Sequence, residues 1–192
     1  MTTLISERLE AAARQAVPVV RGVDDGRLGD PTPCAEYTVR DLLNHLFHVV
    51  VGFQAIAARE DADFTTTPDY LDGDWRSRFA DETGRLVAAW GAPGADEGVA
   101  GSMNLPARTL GSMALLDLTV HGWDLARATG QEYTPDAESV RTLSALIEEM
   151  GPTARTMKVF GEPVAVREGA APIEVLLAST GRDPGWSPGH RR

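Results

Sequence analysis

The stretch LLDLTVHGWDLARATG, residues 115–130, has the apolar spacing of a buried helix but also carries charged side chains. Residues four apart on a helix lie on the same face, so Asp117 and His121 point in one direction. Their neighbours on that face are small or apolar residues, namely Leu110, Met113, Ala114, Leu125 and Ala128. A carboxylate buried without a partner is costly, so this face is expected to offer Asp117 a compensating group.

Apolar residues recur at helical spacing in four longer segments, and the quoted stretch lies in the last of them. The spacing predicts a first helix ending before Pro18, a second capped by Thr38, a third over 75–90 and a fourth over 109–129, stopped by Gly130. Each has one apolar stripe, which such helices bury by packing together. The sequence therefore predicts an all-α fold, an antiparallel four-helix bundle whose sites use side chains from facing helices.

The remainder of the chain is predicted to pack against this bundle. A fifth helix is expected between Thr134 and Pro152. Residues 151–192 read as a C-terminal extension with short extended pieces and one short helix starting near Pro172. A chain of 192 residues suits one core, so we expect residues 1–192 to form a single metal-binding helical-bundle domain.

The charge balance limits the classes of partner. The formal net charge is −10, and an acidic surface repels both phosphate backbones and anionic lipid, so we expect neither nucleic acid nor membrane as a partner. The start, MTTLISERLEAAARQAV, lacks the basic and apolar regions of a secretory signal. A single cysteine agrees with a reducing compartment, and a cytoplasmic location is expected.

His45 on the second helix is also a polar residue on an apolar stripe, as Asp117 and His121 are on the fourth helix. It shares the inward stripe with Leu42, Leu46 and Val49. Two histidines and a carboxylate make three protein ligands, which leave a metal with open positions, the pattern of a catalytic rather than a closed structural site. We predict such a site at His45, Asp117 and His121, with Zn, Fe, Ni and Mn all compatible with these ligands.

Other polar residues near these positions have weaker assignments. Asp124 follows His121 by three residues, so it can orient that imidazole by a hydrogen bond or cap the site. His48 lies about 60° from His45 around the helix and is predicted to be a surface residue or an outer partner of the site. Asn44 and Arg108 are further candidates for an outer partner. Cys34 precedes the second helix, where a helix N-terminus lowers a thiol pKa, but we favour a small buried filler over a nucleophile.

Three stretches together resemble one known family. They are TPCAEYTVRDLLNHLFHVV at 32–50, LLDLTVHGWDLARATG at 115–130, and FGEPVAVREGAAPIEVLLASTGRDP at 160–184. They are similar to actinobacterial metal-binding proteins related to the N-terminal domain of mycothiol-dependent maleylpyruvate isomerase, within the DinB-like superfamily.

The resemblance implies a DinB-like four-helix bundle and a divalent metal, typically zinc. Carried over residue by residue, the implied ligands are His45, Asp117 and His121. Maleylpyruvate isomerase has Glu at the position of Asp117, so the shorter side chain keeps the ligand type but can shift the metal. The implied cofactor is the small thiol mycothiol.

Three functional hypotheses follow. The first is a metal-dependent enzyme in which a small thiol, mycothiol, reacts with a small electrophilic substrate, as a transferase or an isomerase. The second is a non-catalytic metal- or small-ligand-binding module with a stress or regulatory role. In the third, Asp117 and His121 only pair with each other in a plain bundle. A homodimer is compatible with all three, because a partner could help to shape the site.

Overall fold

The computed structural model describes residues 4–102 and 104–189. The helices are α1 (Ile5–Arg21), α2 (Val39–Ala57), α3 (Trp75–Trp90), α4 (Ala107–Thr129), α5 (Ala137–Thr156) and α6 (Pro172–Ser179), with a 3-10 turn at Asp25–Arg27. Two antiparallel strands of two residues each, β1 (Val99–Ala100) and β2 (Leu105–Pro106), lie between α3 and α4.

The first four helices form the predicted four-helix bundle. Around it, α1 contacts α3 and α4, and α2 contacts the same two helices, so α1 lies diagonally opposite α2. The centre is filled by fully buried leucine and phenylalanine side chains, among them Leu9, Leu42, Phe47, Phe79 and Leu115. The prediction of an all-α bundle is confirmed, and the pairing of α2 with α4 brings the helices of His45 and His121 side by side.

The ends of the two site helices follow the sequence prediction. Thr38 caps α2 in a capping box, in which its hydroxyl accepts from the Asp41 backbone N–H and the Asp41 carboxylate accepts from the Thr38 N–H. Gly130 ends α4 with a positive φ of 71°, which glycine adopts without steric cost. Thr38 therefore sets the start of α2, and Gly130 sets the end of α4.

Two helix boundaries differ from the prediction, and in both cases the helix continues past a proline. α1 continues through Pro18 to Arg21, since Val19 and Val20 are buried and offset the roughly 3 kcal/mol that a helical proline costs. α5 was predicted between Thr134 and Pro152, but it begins after the N-cap Asp136 and runs to Thr156, with Pro152 inside it. The Asp136 carboxylate accepts from the Ser139 backbone N–H at 2.8 Å, which sets the start of α5.

The C-terminal extension also differs in detail. The short helix predicted near Pro172 is present as α6, which packs on α5 and buries Leu176 and Leu177. The described part of the extension, 151–189, contains no strand, and its extended pieces run without a paired neighbour. None of the helices in the described ranges has the length and apolarity needed to cross a membrane.

Phe79 supports a first prediction about stability. Its side chain is fully buried and its ring meets that of Phe47 edge-on, with the centroids 5.2 Å apart. Phe79→Ala is expected to lower the free energy of unfolding by about 3–5 kcal/mol, since the cavity cannot collapse in a closely packed bundle. Urea denaturation measures this loss. The matched control is Phe64→Ala, at a side chain that is 44% exposed, and an equal loss in both variants would contradict the packing described here.

Candidate metal centre

The structure brings the three predicted ligand residues together at the contact between α2 and α4. His45 Nε2 lies 3.6 Å from Asp117 Oδ1, and His121 Nε2 lies 3.4 Å from the same oxygen. The two imidazole rings meet edge-on with centroids 4.9 Å apart. One nitrogen of each histidine and one oxygen of Asp117 lie within 4.8 Å of one another, so a single cation could contact all three. Their assignment as ligands stays a prediction.

One side of this cluster is accessible to solvent. The side chains of His45 and Asp117 are each 26% exposed, whereas that of His121 is 9% exposed. An ion held by these three groups would therefore have protein on one side and free positions on the other. That arrangement suits an open site better than a closed structural one.

The charges within the cluster depend on one another. Burial alone would raise the pKa of Asp117, but the adjacent His121 and His45 imidazoles outweigh it and hold that pKa below its ordinary value. Burial lowers the pKa of His121, but the neighbouring Asp117 carboxylate and the hydrogen bond to Asp124 outweigh burial, so the net pKa is raised. Asp117 is therefore ready to act as an anionic ligand, and a metal must compete with a proton for His121.

Asp124 lies where the sequence placed it, one turn beyond His121. Its side chain is fully buried, and its Oδ2 is 3.0 Å from His121 Nδ1. An ionised carboxylate only accepts hydrogen bonds, so Nδ1 donates and Nε2 is left to face Asp117. Asp124 therefore orients the imidazole without touching the candidate cation position.

Arg182 is the residue at this site that sequence analysis missed. It lies in the C-terminal extension, is only 9% exposed, and places Nε and Nη2 at 3.4 and 3.2 Å from Asp124 Oδ2. The only available signal was its inclusion in the stretch 160–184 quoted for the family resemblance. Helical periodicity gives no information about a contact between residues 58 positions apart in sequence.

Cys34 does not match the expectation of a buried filler. It is half-buried, and its sulfur lies within 4.8 Å of a His121 nitrogen and an Asp124 oxygen. Burial raises the pKa of the thiol, and the nearby Arg182 guanidinium opposes this only in part. The raised pKa agrees with the preference against Cys34 as a nucleophile, and the residue forms part of the wall of the site.

Three of the other candidates lie away from the cluster. His48 points toward the loop after α2, where its Nδ1 is 3.1 Å from the Tyr70 hydroxyl. The Asn44 side chain binds the same loop through the Tyr70 backbone N–H at 2.7 Å. Arg108 pairs with Asp96 at 2.7 Å. The structure therefore gives none of these three residues a contact with the ligand side chains, which leaves the outer-partner alternative for His48, Asn44 and Arg108 without support.

A cavity of about 430 Å³ lies beside the cluster. Its walls come from the loop before α2, including Tyr37, and from the C-terminal extension, including Trp186. The Tyr37 ring also contacts His45, with ring centroids 5.4 Å apart. Tyr37 therefore links the cavity to His45, while the described lining of the cavity includes none of the three ligand side chains.

Solved structures share this fold. The chain matches the crystal structure of mycothiol-dependent maleylpyruvate isomerase and that of a histidine-to-alanine mutant of the same enzyme. The TM-scores are 0.51 and 0.53, each at 19% sequence identity and covering 77% of this chain and 72% of the other. At this identity the likeness concerns the fold alone.

Sequence comparison identifies the family. Two uncharacterized proteins of Mycobacterium tuberculosis, MT0763 from strain CDC 1551 and Rv0738 from strain H37Rv, are each 32% identical over 165 residues. The alignments cover 81% of this chain and 85% of each relative. The family model for the mycothiol maleylpyruvate isomerase N-terminal domain matches residues 9–126, which include both site helices down to Ala126 and contain His45, Asp117 and His121. The chain therefore belongs to the mycothiol maleylpyruvate isomerase N-terminal domain family.

Proposed function

We propose that this protein is a divalent-metal-dependent enzyme in which the small thiol mycothiol reacts with a small electrophilic substrate, as a transferase or an isomerase. The observation that supports it is the cluster of two imidazoles and one carboxylate within 4.8 Å of one another, with its outer side exposed. Three such ligands leave free positions at a cation, which a thiol can occupy. Family membership supports the choice of mycothiol.

The donor set fits the proposed metal. Two imidazole nitrogens and a carboxylate oxygen are ligands that zinc accepts readily, although they are also compatible with Fe, Ni and Mn. His45, Asp117 and His121 would hold the ion. When bound, it would supply the positive charge that converts a coordinated thiol into its thiolate. The hydrogen bond from His121 Nδ1 to Asp124 also fits, since it directs Nε2 toward the cluster.

The protein contributes binding and orientation around this position. Asp117 is held as an anion by its two histidine partners, and the aromatic ring of Tyr37 lies between His45 and the adjacent cavity. The cavity of about 430 Å³ has room for the part of a thiol cofactor that does not react. Its walls combine apolar surface with polar side chains such as Glu36 and Ser187, which suits a polar small molecule.

We also propose that residues 1–192 work as one domain, with the extension 151–192 as a component of the site. The supporting contact is the one between Arg182 of the extension and Asp124 of α4. Trp186 and Ser187 of the extension line the adjacent cavity. Removal of the extension would therefore change the bundle site itself.

The metal assignment gives a second prediction. His45→Ala is expected to reduce bound zinc to a small fraction of the wild-type amount, because only Asp117 and His121 remain as ligands. Elemental analysis of protein purified without an affinity tag measures the metal content. The matched control is His48→Ala on the same helix. The His48 side chain contacts Tyr70, so its removal should leave the zinc content unchanged. Full zinc content in the His45→Ala protein would exclude the proposed site.

The raised pKa of His121 gives a third prediction. Zinc binds the deprotonated imidazole, so protons compete with the metal once the pH falls below this pKa, and the affinity drops with pH. The decline is expected to approach about tenfold per pH unit for each proton displaced. Competition titrations between about pH 8 and pH 6 measure it. An affinity that stays constant over this range would contradict the assignment of His121 as a ligand.

The enzymatic assignment gives a fourth prediction. Zinc-loaded protein is expected to accelerate either the conjugation of mycothiol with a bimane electrophile or the isomerisation of maleylpyruvate in the presence of mycothiol. His45→Ala should abolish the acceleration, and His48→Ala should keep it. Zinc binding with the predicted residue dependence, without acceleration of either reaction, would favour the alternative of a non-catalytic metal-binding module.

A further inference from the structure

We propose that Arg182 is a positioning residue for the candidate metal centre, which it serves by fixing the direction of the hydrogen bond between His121 and Asp124. This inference rests on the proposed metal function. Arg182 itself lies behind Asp124 and binds the oxygen that His121 also binds, so it would act on the cation position only through these two residues.

The contacts define the direction of each hydrogen bond. Asp124 Oδ2 is 3.4 Å from Arg182 Nε, 3.2 Å from Arg182 Nη2 and 3.0 Å from His121 Nδ1. A guanidinium has donors and no acceptor, so Oδ2 accepts from Arg182. With Oδ2 held as an acceptor, the imidazole nitrogen on the same oxygen must donate. His121 therefore keeps its proton on Nδ1, and the lone pair of its neutral form lies on Nε2, which faces Asp117 and His45.

Charge and burial explain why a cation is needed there. The Asp124 side chain is completely buried, with 0% of its surface accessible. Its Oδ1 has no hydrogen-bond partner among the described residues. A buried carboxylate without a cation is strongly destabilising. Arg182 is the guanidinium that lies against Asp124, and its own remaining contact, from Nη1 to the Thr180 carbonyl at 3.3 Å, holds it in place.

The backbone before Arg182 is built to place it. At the end of α6, the Arg182 N–H binds the Leu177 carbonyl and the Gly181 N–H binds the Ala178 carbonyl, each at 3.0 Å, as in a Schellman motif. Gly181 has a φ of +87°, and a Cβ added there would lie 2.7 Å from the Cα of Gly161. Only glycine fits this turn, which directs the next side chain down onto α4.

Arg182→Met tests the inference, with Arg27→Met as the matched control. Arg27 donates to the Thr129 and Ala128 carbonyls at the end of α4, each at 2.9 Å, so the control removes an arginine that stabilises the same helix but does not touch Asp124. Two quantities are measured in each protein. One is the affinity for zinc by competition with a chelator, and the other is the tautomer of His121 in metal-free protein at alkaline pH, by nitrogen-15 NMR.

We expect Arg182→Met to weaken zinc binding by about 10- to 100-fold, the usual effect of losing a group that orients a ligand. The Nδ1–H signature of His121 should be lost or mixed in this variant and retained in Arg27→Met. If Arg182→Met does not fold, Arg182→Gln provides the same two readings. Wild-type affinity and an unchanged tautomer in the Arg182 variant would overturn the inference.

The two measurements separate this inference from the proposed function. If wild-type protein binds no zinc but its His121 tautomer depends on Arg182, the metal function fails, and only the orientation of His121 by Arg182 stands. If zinc binds and depends on His45, while Arg182→Met behaves like Arg27→Met, the metal function stands and the positioning role fails.

Discussion

Charge compensation in a nearly water-free region governs this structure. α4 carries Asp117, His121 and Asp124 into the packed contact between the helices, where an isolated charge would be strongly destabilising. Each group has a partner, so that a chain of contacts runs from His45 through Asp117, His121 and Asp124 to Arg182. These contacts link α2, α4 and the C-terminal extension, and Asp117, His121 and Asp124 each have a partner on both sides.

The two ends of this series of side-chain contacts differ in exposure. At one end, His45 and Asp117 are partly accessible, and at the other, Asp124 and Arg182 are sealed. A gradient of this kind suits a site in which the inner groups set geometry and the outer ones meet a ligand. In the proposed function, the outer groups would meet a thiol beside a cation, and the family relation to mycothiol maleylpyruvate isomerase supports the choice of thiol.

Much of the architecture was predictable because helices are local. The capping box at Thr38, the left-handed Gly130 and the third helix at Trp75–Trp90 all follow from residues close together in sequence. The prolines at 18 and 152 misled the prediction of helix ends. At Pro18, burial of Val19 and Val20 carries the helix past the local break. The trio His45, Asp117 and His121 was identified because inward-facing polar residues stand out against a 3.6-residue apolar period.

The sequence by itself determined the helices, the faces that they bury and the two helices that carry polar groups inward, because these depend on spacing of a few residues. Only the tertiary structure decided which groups meet: Arg182 reaches Asp124, Cys34 joins the wall of the site, and His48 turns away toward Tyr70. Contacts between residues 58 apart, such as that of Arg182 with Asp124, are set by how α6 and its glycine turn pack on the bundle. No short-range pattern encodes that packing, because it results from the sum of many weak apolar contacts across the whole chain.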